Sequence, residues 1–169
     1  MRQSRLVSTC GLAAALSVVI MLIGGVLGVG MYISPMIAGV CLIPIGQNFG
    51  RKYHALLWLA VSILCFILVP DPEANLMYFA LFGIYPLLCP LFQRLRPALR
   101  LVCKLAFFNA VIIAVETLVM LVLVPESMSL WMTLVLLVLG NITFLLYDFI
   151  LPRAAMLVRC YFQRLQRMR

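Results

Sequence analysis

The chain alternates six long apolar runs, near residues 6–28, 31–49, 54–69, 75–92, 101–124 and 128–151, with short clusters of glycine, proline and charge. An α-helix needs about 17–25 apolar residues to cross the hydrocarbon core of a bilayer, and most of the runs meet that length. The pattern predicts an all-α fold. It is a polytopic membrane bundle of about six transmembrane helices over 1–152, followed by a basic amphipathic tail over 153–169. The third run is the shortest. Pro35 and Pro44 in the second run, and Tyr85-Pro86 in the fourth, predict kinks because proline removes a helical donor.

The punctuation between runs carries a second signal. Residues 46–54 and 93–100 are polar and basic, whereas Pro70 to Asn75 and Pro125 to Ser127 are acidic, and the turn around Gly24 to Ser34 is uncharged and glycine-rich. Six spans place the amino terminus, the second and fourth loops and the carboxyl terminus on one side. That side receives all 13 lysines and arginines, so the positive-inside rule makes it cytoplasmic. A five-span chain would strand one basic cluster outside. The expectation is a multi-pass protein of the plasma membrane with both ends in the cytoplasm.

Composition narrows the function. With 66% hydrophobic and 11% charged residues in 169, the chain cannot hide its apolar surface in a water-soluble core, and no separate catalytic domain fits beside six spans. The net charge of +8 reports orientation and contact with the lipid bilayer, not nucleic-acid binding. The first run follows Arg2 and Arg5 as a signal peptide would, but it is long and lacks a small-residue cleavage site, so it is read as a retained span. The six cysteines lack metal-ligand spacing and read as reduced packing residues.

Motifs for phosphate-loop, zinc-protease and serine-hydrolase chemistry are missing, which predicts no enzyme, no cofactor and no metal site. His54 stands alone beside a basic loop and reads as an interfacial residue. Polar residues inside spans are costly and each needs a partner or a function. Asn109 and Glu116 lie seven residues apart, on one face of the fifth helix, and Asn141 and Asp148 repeat that spacing on the sixth. In an antiparallel hairpin around Pro125, residues of equal depth have numbers adding to about 251. Asn109 then meets Asn141, and Lys104 meets Asp148 as a structural ion pair. Glu116 faces apolar Val135 and must find a partner elsewhere, take a proton or meet a ligand. Asn75, Tyr78, Tyr32 and Trp131 near the outer surface could complete a pocket above it. The candidate substrate-binding set is Glu116, Asn109, Asn141, Asn75, Tyr78 and Tyr32.

Two further features concern partners. Gly11 and Ala15, and likewise Cys10 and Ala14, are small residues four apart near the start of the first span, a spacing that lets another helix approach closely. The tail beyond Pro152 carries Val158, Tyr161, Phe162, Leu165 and Met168 at helical spacing beside Arg153, Arg164 and Arg167. It reads as a short interfacial helix.

The whole arrangement resembles the substrate-binding (S) component of energy-coupling factor transporters, small six-helix proteins with both ends cytoplasmic. The closest local match is Gly11-Leu12-Ala13-Ala14-Ala15-Leu16-Ser17, which is similar to the small-residue stretch by which that family's first helix packs on the transporter's coupling protein. Here Gly11 and Cys10 replace part of the alanine pattern. The resemblance implies a non-enzymatic capture subunit for a small solute, with a transmembrane coupling protein and two ATPases as partners. It also implies a ligand held near the outer surface, by the loop around Gly28 to Ser34, the Asp71 to Asn75 loop and Glu116. The rival class is a scaffold of cell-envelope morphogenesis similar to the MreD type. A scaffold predicts that Glu116 pairs internally, whereas a capture subunit predicts a cavity open to the outside.

Overall fold

The computed structural model describes residues 2–27, 32–93, 96–122 and 130–167. They form eight helices: α1 (Arg2–Leu27), α2 (Ile33–Cys41), α3 (Ile43–Asn48), α4 (Arg51–Leu68), α5 (Pro72–Met77), α6 (Tyr85–Phe92), α7 (Pro97–Val122) and α8 (Leu130–Arg167). A π-helical turn, Tyr78–Phe82, joins α5 to α6. Among the described residues five stretches are long and apolar enough to cross a membrane, and Ile33–Asn48 is a shorter apolar helix beside them. The protein is an all-α polytopic membrane bundle. Its outer surface is apolar, with Leu12, Ile67, Val102 and Leu121 all more than 60% exposed, as a surface facing lipid tails requires.

The run lengths shift from the sequence expectation. The third run, expected to be the weakest span, extends back to Arg51 and forms an unbroken 18-residue helix. Gly50 makes this possible, because the chain turns into α4 there at a φ of 105°, a conformation that favours glycine. The second run is the one that breaks. Its two pieces meet at Leu42, beside Pro44, so this kink falls where expected. Pro35 makes no break because it sits in the first turn of α2, where its missing N–H has no helical partner to lose.

The fourth run is reshaped around Pro86. The Gly83 amide donates to Tyr78 O at 2.8 Å, five residues back, which widens the turn. Proline at 86 cannot donate to Phe82 O, and Leu87 N turns to Ile84 O at 3.0 Å instead of to Gly83 O. Two buried carbonyls are thereby left for side chains. Tyr147 Oη donates to Phe82 O at 3.0 Å, and His54 Nε2 lies 3.3 Å from Gly83 O. His54 is therefore a buried clamp, 2% exposed, and not the interfacial residue its position beside a basic loop suggested.

The core falls into two clusters. One gathers Phe82, Tyr85, Phe108, Ile112, Phe144 and Tyr147, with Phe108 and Phe144 stacked at 4.5 Å between ring centres. The other joins Val18, Met21, Ala38, Val61, Cys65 and Tyr78. Gly39 brings α2 against the widened turn, since a methyl group there would collide with the Phe82 carbonyl. Ser17 ties α1 to α2 by donating to Ala38 O at 3.2 Å. The thiols of Cys10, Cys41, Cys65, Cys89 and Cys103 are free.

At the other end of the chain, α8 runs from Leu130 through Pro152 to Arg167 as one helix. The backbone of the tail is thus continuous with that of the last span. At 1.5 Å per residue its 38 residues reach about 57 Å, well beyond a hydrocarbon core of about 30 Å. The side chains from 157 onward, including Val158, Tyr161, Phe162, Arg164 and Leu165, lie outside the described residues, as does Met168.

Candidate functional site

The helix hairpin α7/α8 sets the depth of the polar groups. Lys104 Nζ reaches both oxygens of Asp148, at 2.6 and 2.8 Å, so the expected ion pair is formed. Tyr85 Oη also donates to the Asp148 carboxylate, and the ammonium group lies 6.0 Å from the Tyr85 ring centre. Two helical turns away, Asn109 and Asn141 exchange amide hydrogen bonds of 3.1 and 2.9 Å. Each also donates its second amide hydrogen within its own helix, to Leu105 O and Leu137 O. With both hydrogens committed, this pair clamps the hairpin and has no spare donor for a ligand.

Glu116 sits two turns beyond Asn109, at the acidic end of the bundle. Its partner is Glu73, whose carboxyl group lies within hydrogen-bonding reach of it. A hydrogen bond between two carboxyl groups needs a proton on one of them. Tyr32 stands near both carboxyl groups. Its hydroxyl is buried and has no hydrogen-bond partner among the described residues.

Glu73 was not among the candidates read from the sequence, although its position is locally encoded. Asp71 Oδ1 accepts from the Glu73 and Ala74 amides, both at 3.1 Å, and Pro72 starts the helix. The Asp-Pro-Glu run is a helix start, so Glu73 belongs to the first turn of a span and not to a loop. Further along the same span lie Asn75 and Tyr78, which are 2% and 0% exposed. Asn75 Nδ2 donates to Val69 O at 3.1 Å, while Asn75 Oδ1, Tyr78 Oη and Trp58 Nε1 are buried with no partner among the described residues. Of the loop around Gly28 to Ser34 that was expected to cover a ligand here, residues 28–31 lie outside the described residues, as does the Trp131 side chain.

The structure separates the small residues of α1. Gly11 and Ala15 are exposed, with open space around Gly11. Cys10 and Ala14 are half-buried, and Ala14 packs against the second core cluster.

A cavity of about 500 Å³ lies at the opposite, basic end of the bundle. Gln47, Arg51, Gln93, Arg100 and Lys104 are among its lining side chains, and its wall includes Asp148 and His54. Sequence reasoning treated Arg51 and Arg100 only as topology markers, and Lys104 only as the partner of Asp148.

No family model, no curated protein and no solved structure matches this chain.

Proposed function

We propose that this protein is a membrane-embedded capture subunit for a small solute, such as a vitamin or related micronutrient, working in an energy-coupling factor type of transporter. The observation that carries the reading is the polar group at the acidic end, where Glu73, Glu116 and the unpartnered Tyr32 hydroxyl converge. Carboxyl groups side by side have reason to be there when a solute with a positively charged or hydrogen-donating group bridges them. Buried Asn75 Oδ1 and Tyr78 Oη, in the same span as Glu73, add unmet hydrogen-bonding capacity. On this reading the basic end faces the cytoplasm of a plasma-membrane protein, both termini lie there, and the acidic end faces outward. The exposed Gly11 and Ala15 face of α1 is where the transmembrane coupling protein would pack, with ATP hydrolysis supplied by two partner ATPases.

The test is solute binding by purified protein, screened by thermal shift against water-soluble micronutrients. The Glu116→Gln variant keeps the side-chain volume and should fold normally while losing at least about tenfold in affinity, the scale of one charge-assisted hydrogen bond. Unchanged affinity in that variant removes Glu116 from the site.

One observation favours a second reading, a scaffold similar to the MreD type: Glu116 already has a neighbour inside the bundle, in Glu73. A scaffold needs no solute. It predicts that no micronutrient shifts the melting temperature and that Glu116→Gln changes stability alone.

A further inference from the structure

The cavity at the basic end is built differently from the acidic cluster. Arg51 begins α4 on its rim, and Arg100 and Lys104 stand one turn apart on α7, so three cations converge on one space. One carboxylate stands among the lining residues, that of Asp148, and both of its oxygens are taken by Lys104 while Tyr85 donates to it as well. Arg51 and Arg100 form no ion pair among the described residues, which leaves two positive charges unneutralised at the mouth. Gln47 adds an amide donor, Gln93 spends one amide hydrogen on Cys89 Sγ at 3.7 Å and keeps the other, and the first turn of α4 carries no side-chain cap on its N–H groups. The volume of about 500 Å³ lies inside the range of small-ligand sites.

Two guanidinium forks, side-chain amides and a helix start of positive potential are the donor set that phosphate recognition uses. We infer that this cavity binds a phosphate-bearing anion, with Arg51 and Arg100 gripping the phosphate and the Lys104–Asp148–Tyr85 group holding the wall behind it. The inference concerns the end of the bundle opposite Glu116 and stands whether or not a solute binds there. The anion can come from the headgroup of an acidic phospholipid in the adjacent leaflet or from phosphate in solution, since both present the same oxygens.

Native mass spectrometry of the full chain in a mild detergent tests this, with short-chain phosphatidic acid, phosphatidylglycerol and zwitterionic phosphatidylcholine in one arm and inorganic phosphate in the other. Retention of the acidic lipids over phosphatidylcholine, with inorganic phosphate competing only weakly, assigns the headgroup as the source. Displacement of lipid by inorganic phosphate, or direct retention of phosphate, assigns a free anion. In either case Arg51→Gln and Arg100→Gln should each weaken retention about tenfold. Lys52→Gln, which removes the same charge beside Arg51 but outside the cavity lining, should leave it within about twofold. The inference is overturned if neither lipid nor phosphate is retained, if the two arginine variants bind as the parent does, or if Lys52→Gln loses as much as Arg51→Gln.

Discussion

At the scale of single residues, what was legible in the sequence was whatever helical register dictates. The pairings of Lys104 with Asp148 and of Asn109 with Asn141 follow from equal rise on two antiparallel helices, and both contacts are present. The partners of backbone carbonyls were not legible. Tyr147 and Tyr85 sit in apolar runs, where a tyrosine reads as packing, yet each places its hydroxyl on a specific acceptor. Tyr147→Phe deletes the donor to Phe82 O without changing the ring. It should lower stability in detergent by about 1 kcal/mol, seen as a lower unfolding midpoint with the helix content unchanged. The Lys104–Asp148 pair should be strongly coupled. Lys104→Met or Asp148→Asn alone leaves a charge poorly compensated in a mostly buried place, at a cost of about 3 kcal/mol, and the double variant should recover much of that. Simple additivity in this double-mutant cycle would mean that the two side chains act independently.

At the scale of elements, the existence and order of the spans were readable because apolar run length is a strong signal in lipid. Their internal breaks were readable only in part, because a proline's effect depends on where in a helix it falls. Pro44 marks a break and Pro35 does not, since one lies at a junction and the other in a first turn. Pro152 looked like the end of a span, but α8 passes through it. Glu73 was missed for the converse reason: Asp71 and Pro72 looked like loop punctuation when they are a helix cap. The continuity of α8 predicts a rod. Spin labels at Val138→Cys and Met156→Cys, in a background freed of native cysteines, should give one narrow distance distribution near about 27 Å. A broad or clearly shorter distribution would place a hinge at Pro152.

At the scale of the whole molecule, the bundle is polar at two ends of opposite character. The acidic end concentrates Glu73, Glu116 and Asp71, and the basic end holds a cavity lined by two arginines that form no ion pair among the described residues. The sequence made the charge asymmetry plain through its loops but could not place the cavity, because its lining comes from α3, α4, α6, α7 and α8 together. If the protein captures a solute as proposed, a coupling partner must act on it, and the exposed Gly11 and Ala15 face of α1 is the surface a coupling helix would cover on that reading. The most direct measurement is to tag the protein, solubilise native membranes gently, and identify by mass spectrometry what co-purifies. A membrane coupling protein with two ATPases, lost when Gly11 and Ala15 are replaced by leucine, is the expected result. Recovery of cytoskeletal or wall-synthesis proteins in their place would contradict the capture reading and make the protein a scaffold.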